Sequence, residues 1–160
     1  MAIRKIILGL CFALTSFQVL ADQHEPYPLE QCAAQAPYGF PQSVKQSTTK
    51  ICRKAYVLEY DVNAFVPVWV SYVLTPEHAV GCLPRSNAFA ADHSINNPAT
   101  PKDYAKSGYD MGHNANDGDM RWDLEVEEES FILTNMTPQL PGFNRGIWKK
   151  LERLIRHRLS

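Results

Sequence analysis

Two stretches of this 160-residue chain concentrate side chains that a structural scaffold does not need. The first is Tyr109-Asp110-Met111-Gly112-His113-Asn114. The second is Thr134-Asn135-Met136-Thr137-Pro138-Gln139, followed closely by Phe143-Asn144-Arg145-Gly146-Ile147-Trp148-Lys149-Lys150-Leu151-Glu152. A histidine that follows a glycine can be presented on a tight backbone turn, and an imidazole with an ordinary pKa near ~6.5 suits proton abstraction from water at neutral pH. Taken alone, such a histidine is more often a surface or hydrogen-bonded structural residue. Asn144, Trp148 and Glu152 are spaced so that a helix would stack them along one side, with Asn144 in its first turn. An amide oxygen and a carboxylate on one face suit a hard cation such as Mg²⁺, which keeps most of its waters and needs only one or two protein oxygens. The same pair also fits an N-cap and a solvated partner for Lys149 or Arg156.

Several elements must position these groups. Residues 55–61 and 65–74 are rich in β-branched and aromatic side chains and are separated by Val62-Asn63-Ala64, which predicts a hairpin. Alternation in its second strand puts Val66, Val68, Val70, Tyr72 and Leu74 on one face, and Pro67, Trp69 and Ser71 on a less buried one. Phe131-Ile132-Leu133 reads as a short buried strand. Apolar residues at 143, 147, 151, 154, 155 and 159 have helical spacing, entered through Pro141-Gly142, with Phe143 and Trp148 as core anchors. The Pro-punctuated stretch from 84 to 108 reads as a long connection of the kind that carries function. Strands followed by a helix, with no internal repeat, give an α+β fold.

At 45% hydrophobic and 21% charged, the composition is that of one globular domain with a real core. Arg4 and Lys5 precede an acid-free apolar run from Ile6 to Ala21 that ends Val19-Leu20-Ala21, the pattern of a secretory signal peptide and short for a membrane span. The expected organisation is therefore a signal peptide over 1–21, an irregular Pro- and Gln-rich arm over 22–54, and a catalytic domain over 55–160. The predicted location is the periplasm or the medium, with no stable membrane association after cleavage. Removing 1–21 takes two basic residues and no acidic one, leaving 14 basic against 17 acidic groups and no overall basic field. Export implies an oxidising compartment in which Cys32, Cys52 and Cys82 can pair. Cys32 with Cys52 is the preferred bridge, because it staples the arm to the domain. The cysteine and histidine spacing carries no zinc signature.

Asp110-x-Gly112-His113, then Ser130-Phe131-Ile132-Leu133-Thr134-Asn135-Met136-Thr137-Pro138-Gln139, then Asn144-Arg145-Gly146-x-Trp148-x-x-Leu151-Glu152 together resemble the DNA/RNA non-specific endonucleases with a ββα-metal active site. The likeness spans about Arg85 to Glu152, and three ordered motifs at compatible spacing are far more specific than one. It implies an antiparallel sheet with a ββα-metal core, the histidine on a turn or strand and the metal-ligand asparagine on the following helix. It implies His113 as the general base, Asn144 as the direct protein ligand of Mg²⁺ (Mn²⁺ as a substitute), and Glu152 holding or orienting water of the ion. Asn135 would support the site by hydrogen bonding, and Arg85, in Arg85-Ser86-Asn87-Ala88-Phe89-Ala90-Ala91-Asp92, would grip the scissile phosphate. Asp110 would buttress the His-bearing turn. The implied reaction is phosphodiester hydrolysis in DNA, RNA or both, leaving 5′-phosphate ends. The alternative is a catalytically impaired or truncated member that binds nucleic acid without turnover.

Charge is segregated along the chain. Arg145, Lys149, Lys150, Arg153, Arg156 and Arg158 lie on or near the last helix, and local charge steers a phosphate backbone more than net charge does. Lys45, Lys50, Arg53 and Lys54 read as a solvated arm or an extension of that track. Asp117, Asp119, Asp123, Glu125, Glu127, Glu128 and Glu129 are expected to form an opposite pole. Asn114-Ala115-Asn116-Asp117-Gly118-Asp119 is not a calcium loop, because aligning Gly118 with the loop glycine puts Leu124 where the final glutamate belongs. Asp119 reads either as tying down the segment after His113 or as an ordinary turn carboxylate. Met111 stands where many relatives carry a basic residue. Related domains continue past this helix, so exposure of Ile147, Leu154 or Ile155 is the expected symptom of a helix face without its cover.

Overall fold

The computed structural model describes residues 25–44 and 47–159, so the signal-peptide reading of 1–21, and Lys45, lie outside the described residues. An antiparallel sheet of β1 (Thr48–Cys52), β2 (Tyr56–Asp61) and β3 (Val66–Tyr72), in the order β1-β2-β3, forms the centre. The predicted hairpin is β2-β3. Its turn closes on Asp61, whose carboxylate accepts from the backbone N–H groups of Asn63 and Ala64 while its carbonyl accepts from Phe65. Phe65 adopts φ +58° there, in the left-handed region that costs a bulky residue energy.

The stretch expected to be irregular is only partly so. It holds a 3-10 helix (Leu29–Gln35) and all of β1, where Thr48, Thr49 and Ile51 supply β-branched positions that pair with Asp61, Tyr60 and Leu58. A Cys32–Cys52 disulfide ties the 3-10 helix to the end of β1, the preferred pairing, and Cys82 is free and exposed. Both faces of β2 are covered, so all six of its residues are buried. Ile51, Tyr56, Leu58 and Tyr60 pack with Ala115, Met120 and Val126 on one side. Val57 packs with Cys32, Ala36 and Cys52 on the other, flanked by Phe40 and Trp69. Trp69 is thus part of a second core, its indole N–H donating to the Glu59 carboxylate at 2.7 Å. A register shift at Glu59/Tyr60 sets Trp69 opposite Glu59 and Pro67 opposite Tyr60, which leaves Val68 outside the pairing and 40% exposed. The expected single face of Val66 to Leu74 therefore breaks at Val68.

The chain continues through α1 (Pro76–Ala79), the long connection carrying α2 (Pro101–Tyr104), and β4 (Asp110–His113). Then follow α3 (Asp117–Met120), α4 (Leu124–Ser130), a 3-10 turn (Leu133–Asn135) and β5 (Met136–Gln139), which pairs antiparallel with β4. The architecture is α+β with two antiparallel sheets. Phe131, Ile132 and Leu133 are buried as expected but do not form a strand. Ile132 makes one isolated bridge to Ala90, and the extended segment starts at Met136 because the chain must first turn out of α4 to meet β4. A short apolar run cannot be assigned by periodicity alone.

The last helix begins with π-type turns (Phe143–Trp148), breaks from helical geometry at Gly146 (φ −101°, ψ −105°) and continues as α5 (Lys149–His157). It is oriented opposite to the apolar expectation. Asn144, Trp148, Glu152 and Arg156 are half-buried against the domain, whereas Phe143, Ile147, Leu151, Leu154 and Ile155 are 43–63% exposed. Phe143 is not a core anchor; it stacks on Trp148, ring centroids 5.7 Å apart, beside the outward apolar face.

Candidate active site

His113 ends β4, opposite Met136 of β5. Gly112 is needed for close approach rather than for a turn: a Cβ there would run into the Gln139 side chain that folds over it. The imidazole is 8% exposed, edge-on to Phe131 at 4.9 Å and tilted against Phe89 at 5.7 Å. Aromatic walls on two sides fix its orientation. Burial, with the positive Arg85 nearby, lowers its pKa to about 3 against a smaller opposing pull from Asp117, so the ring is neutral at physiological pH. Its Nε2 has no hydrogen-bond partner among the described residues.

The segment after His113 is bolted down by Asn135. Its Oδ1 accepts from the Ala115 N–H at 2.8 Å, and its Nδ2 donates to the carbonyls of Ala115 and Ser130 at 2.9 and 2.8 Å. Asn135 is fully buried and stands behind the cleft, not in it.

Asn144 faces β4 from the π-type turns. Its Nδ2 donates to Asp110 Oδ2 at 3.0 Å, which commits the amide nitrogen and leaves Oδ1 as the end available to a ligand. Asp110 also receives a two-point contact from Arg145, at 2.8 and 2.6 Å. The Arg145 bond, with that of Asn144, holds the Asp110 carboxyl below its usual range despite partial burial. Asp110 therefore does not buttress a turn bearing His113; it clamps the helix that carries Asn144 onto β4. Glu152, two turns further, is raised to about 7 by burial, with Asp119 adding to the shift and Arg156 opposing it. A half-buried carboxyl so poorly stabilised, on the same side of the helix as an oriented amide oxygen, is a donor set that a hard divalent cation satisfies.

Arg85 reaches the same place from the long connection. Its Nη1 lies 2.6 Å from Asp117 Oδ2, its Nε donates to Asn87 Oδ1 at 2.6 Å, and its guanidinium sits 4.7 Å from the Phe131 ring centroid. Phe131 thus supports both the imidazole and the guanidinium. Arg85, His113, Asn144 and Glu152 line one cleft of about 640 Å³.

Residues 33–160 match the DNA/RNA non-specific endonuclease family. The chain belongs to that family. It is 35% identical over 124 residues to human endonuclease G, mitochondrial, covering 76% of this chain and 40% of that protein. It is 32% identical to the mitochondrial nuclease of Saccharomyces cerevisiae (74% of this chain, 37% of that one) and 34% identical to a nuclease of Nostoc (68% and 40%). A chain in a crystal structure of an EndoG/EndoGI complex superposes with a TM-score of 0.72 at 36% identity, covering 79% of this chain and 53% of that one. The chain thus spans about two fifths of the length of these relatives and about half of the solved one.

Within this endonuclease-family domain the charges are arranged otherwise than in two poles. Asp117 and Asp119 enter the cleft region: Asp117 bridges Arg85 and Arg121, and Asp119 accepts from Tyr72 at 2.8 Å and pairs with Arg156. Asp119, itself in α3, therefore ties the segment after His113 to β3 and α5, as expected. Asp123 and Glu125 pair with Lys54, and Glu127 and Glu129 accept from the backbone of Ser86 and Lys54. Arg53 is buried against Asp92, so Arg53 and Lys54 are neither a solvated arm nor a basic track. Lys149, Arg153 and Arg156 line the cleft, while Lys150 borders the outward apolar face. Sequence reasoning missed Asn116 and Arg121 as cleft residues. Arg121 carried one local signal, an i,i+4 pairing with Asp117.

Proposed function

We propose that this chain is a divalent-metal-dependent endonuclease that hydrolyses phosphodiester bonds of DNA, RNA or both, with Mg²⁺ as its cation and Mn²⁺ as a substitute. The observation that carries this reading is the meeting, in one cleft, of a neutral imidazole, an arginine and an oriented amide oxygen, each from a different segment. The His113 imidazole accepts a proton from water as the water oxygen attacks phosphorus opposite the 3′ oxygen. The P–O3′ bond breaks, the 3′ oxygen leaves and takes up a proton, and the other fragment keeps a 5′ phosphate. Arg85, held by Asp117 and Asn87, is placed to bind the phosphate oxygens. An approaching phosphate cancels the field of Arg85 and adds negative charge beside the ring, both of which raise the basicity of His113 when it is needed. Asn144 Oδ1 and Glu152 would hold the cation, which when bound neutralises charge on the phosphate and stabilises the leaving oxygen.

Export through the leader at 1–21 to the periplasm or medium is part of the same proposal, supported by the composition of that segment and by the Cys32–Cys52 bridge, which suits an oxidising compartment. A binding protein without turnover would also use the basic cleft, but it gives no role to a neutral imidazole at its wall. The test is supercoiled plasmid incubated with purified chain from Cys32–Cys52-oxidised preparations, with Mg²⁺ or with EDTA. Nicking that requires the cation and is lost in His113→Ala and in Asn144→Ala is expected. Equal nicking in EDTA, or none from folded protein with Mg²⁺, would contradict it.

A further inference from the structure

We infer that Asn116 is a further catalytic residue of the cleft, its side-chain Nδ2 donating a hydrogen bond to a non-bridging oxygen of the phosphate under attack. This rests on the nuclease reading above and adds to it a group that none of the three sequence motifs contains. Asn116 caps α3, its Oδ1 accepting from the Gly118 N–H at 2.8 Å. That bond uses the oxygen and so fixes which end of the amide is left over. The end left over is Nδ2, which has no hydrogen-bond partner among the described residues although the side chain lines the cleft and the residue is only 7% exposed.

A buried donor without an acceptor is costly, and native structures keep such groups where a ligand completes them. The acceptors nearby are already committed. Asp117 serves Arg85 and Arg121, and Asp119 serves Tyr72 and Arg156. Arg85, Arg121 and Arg156 in this part of the cleft are themselves donors, and the Glu152 carboxyl is assigned to the cation. Among these arginines the acceptor that fits is an anion from outside, and a phosphodiester brought to Arg85 carries two non-bridging oxygens. Asn116 follows His113 by three residues, so the segment that presents the proton acceptor also presents this donor. Asn116 Nδ2 then stabilises the charge that gathers on the phosphate, while the imidazole three residues earlier receives the water proton.

A cap alone requires only an oxygen, and this separates the two roles. Asn116→Ser keeps an oxygen for the Gly118 N–H but is too short to replace Nδ2, and Asn116→Asp keeps the cap while substituting an acceptor for the donor. Both are measured by single-turnover cleavage of a labelled oligonucleotide with Mg²⁺, by anisotropy binding of the same oligonucleotide in EDTA, and by thermal unfolding. The expected result is an unchanged melting temperature, a loss of about 10- to 100-fold in cleavage rate for Asn116→Ser, a larger loss for Asn116→Asp, and weaker binding in EDTA for both. Wild-type cleavage or binding by either variant would overturn the assignment, because a cap that works is then sufficient. If the wild-type chain itself does not cleave, the nuclease reading fails on its own, and the EDTA binding still decides whether Nδ2 meets a phosphate.

Discussion

His113 is buried against two aromatic rings with an arginine close by, and burial and that positive charge press it toward the neutral form against a smaller pull from Asp117. The consequence for stability has a definite sign. The unfolded chain takes up a proton near the ordinary pKa of ~6.5, whereas the folded chain resists until about 3. Stability from the neutral ring is therefore fully present above pH 6.5 and is lost as pH falls from there toward 3. His113→Gln, which cannot titrate, should show a melting temperature that declines less than wild type between pH 6.5 and 4; parallel curves would show that His113 is not held neutral. The residues of this site were legible in the sequence to the extent that their chemistry was concentrated in short runs. His113, Asn144 and Glu152 stood out that way. Asn116, Asp117 and Arg121 did not, because what gives them meaning is Arg85, which meets Asp117 across 32 positions of chain. Asp110 was visible but misassigned for the same reason: its partners, Asn144 and Arg145, lie on the last helix.

Among elements, the connection from β3 to β4 does more than its composition suggests. Asp92 within it accepts from buried Arg53 at 2.6 Å and from Thr134 at 2.7 Å, joining the end of β1 to the turn that carries Asn135. Burial opposes the charge on Asp92, but Arg53, with the hydroxyls of Ser94 and Thr134, keeps its carboxyl below the usual range. Asp92→Ala leaves Arg53 without that carboxylate in the interior and should lower unfolding free energy by about 3–5 kcal/mol in denaturant titrations. A loss under 1 kcal/mol would mean that the pair is not a support of the site. The hairpin β2-β3 was readable from its β-branched runs and turn. The register shift that expels Val68 was not, since alternation carries no record of where an extra residue is inserted. The last helix was readable as a helix, yet its orientation was not. Apolar spacing says which side chains share a face, and here the face turned inward is the polar one, held by Asp110–Arg145 and Asp119–Arg156.

At the scale of the whole molecule, the candidate site exists only because separate parts of the chain converge. β4 brings His113, the long connection brings Arg85, and the last helix brings Asn144 and Glu152, clamped to the body by ion pairs instead of an apolar seam. The outward face of that helix leaves Ile147 63% and Leu154 52% exposed. The net charge of −1 conceals a cleft lined by Arg85, Arg121, Arg145, Lys149 and Arg153, which is the property the proposed nucleic-acid substrate would meet. If these parts form one catalytic unit, their loss is not additive. The decisive measurement is single-turnover cleavage by His113→Ala, Asn144→Ala and the double variant at saturating Mg²⁺. The account predicts that each single change costs at least about 100-fold and that the double variant is scarcely slower than the worse of the two. Losses that simply multiply would mean that the imidazole and the amide act independently, and would contradict a single site built from both.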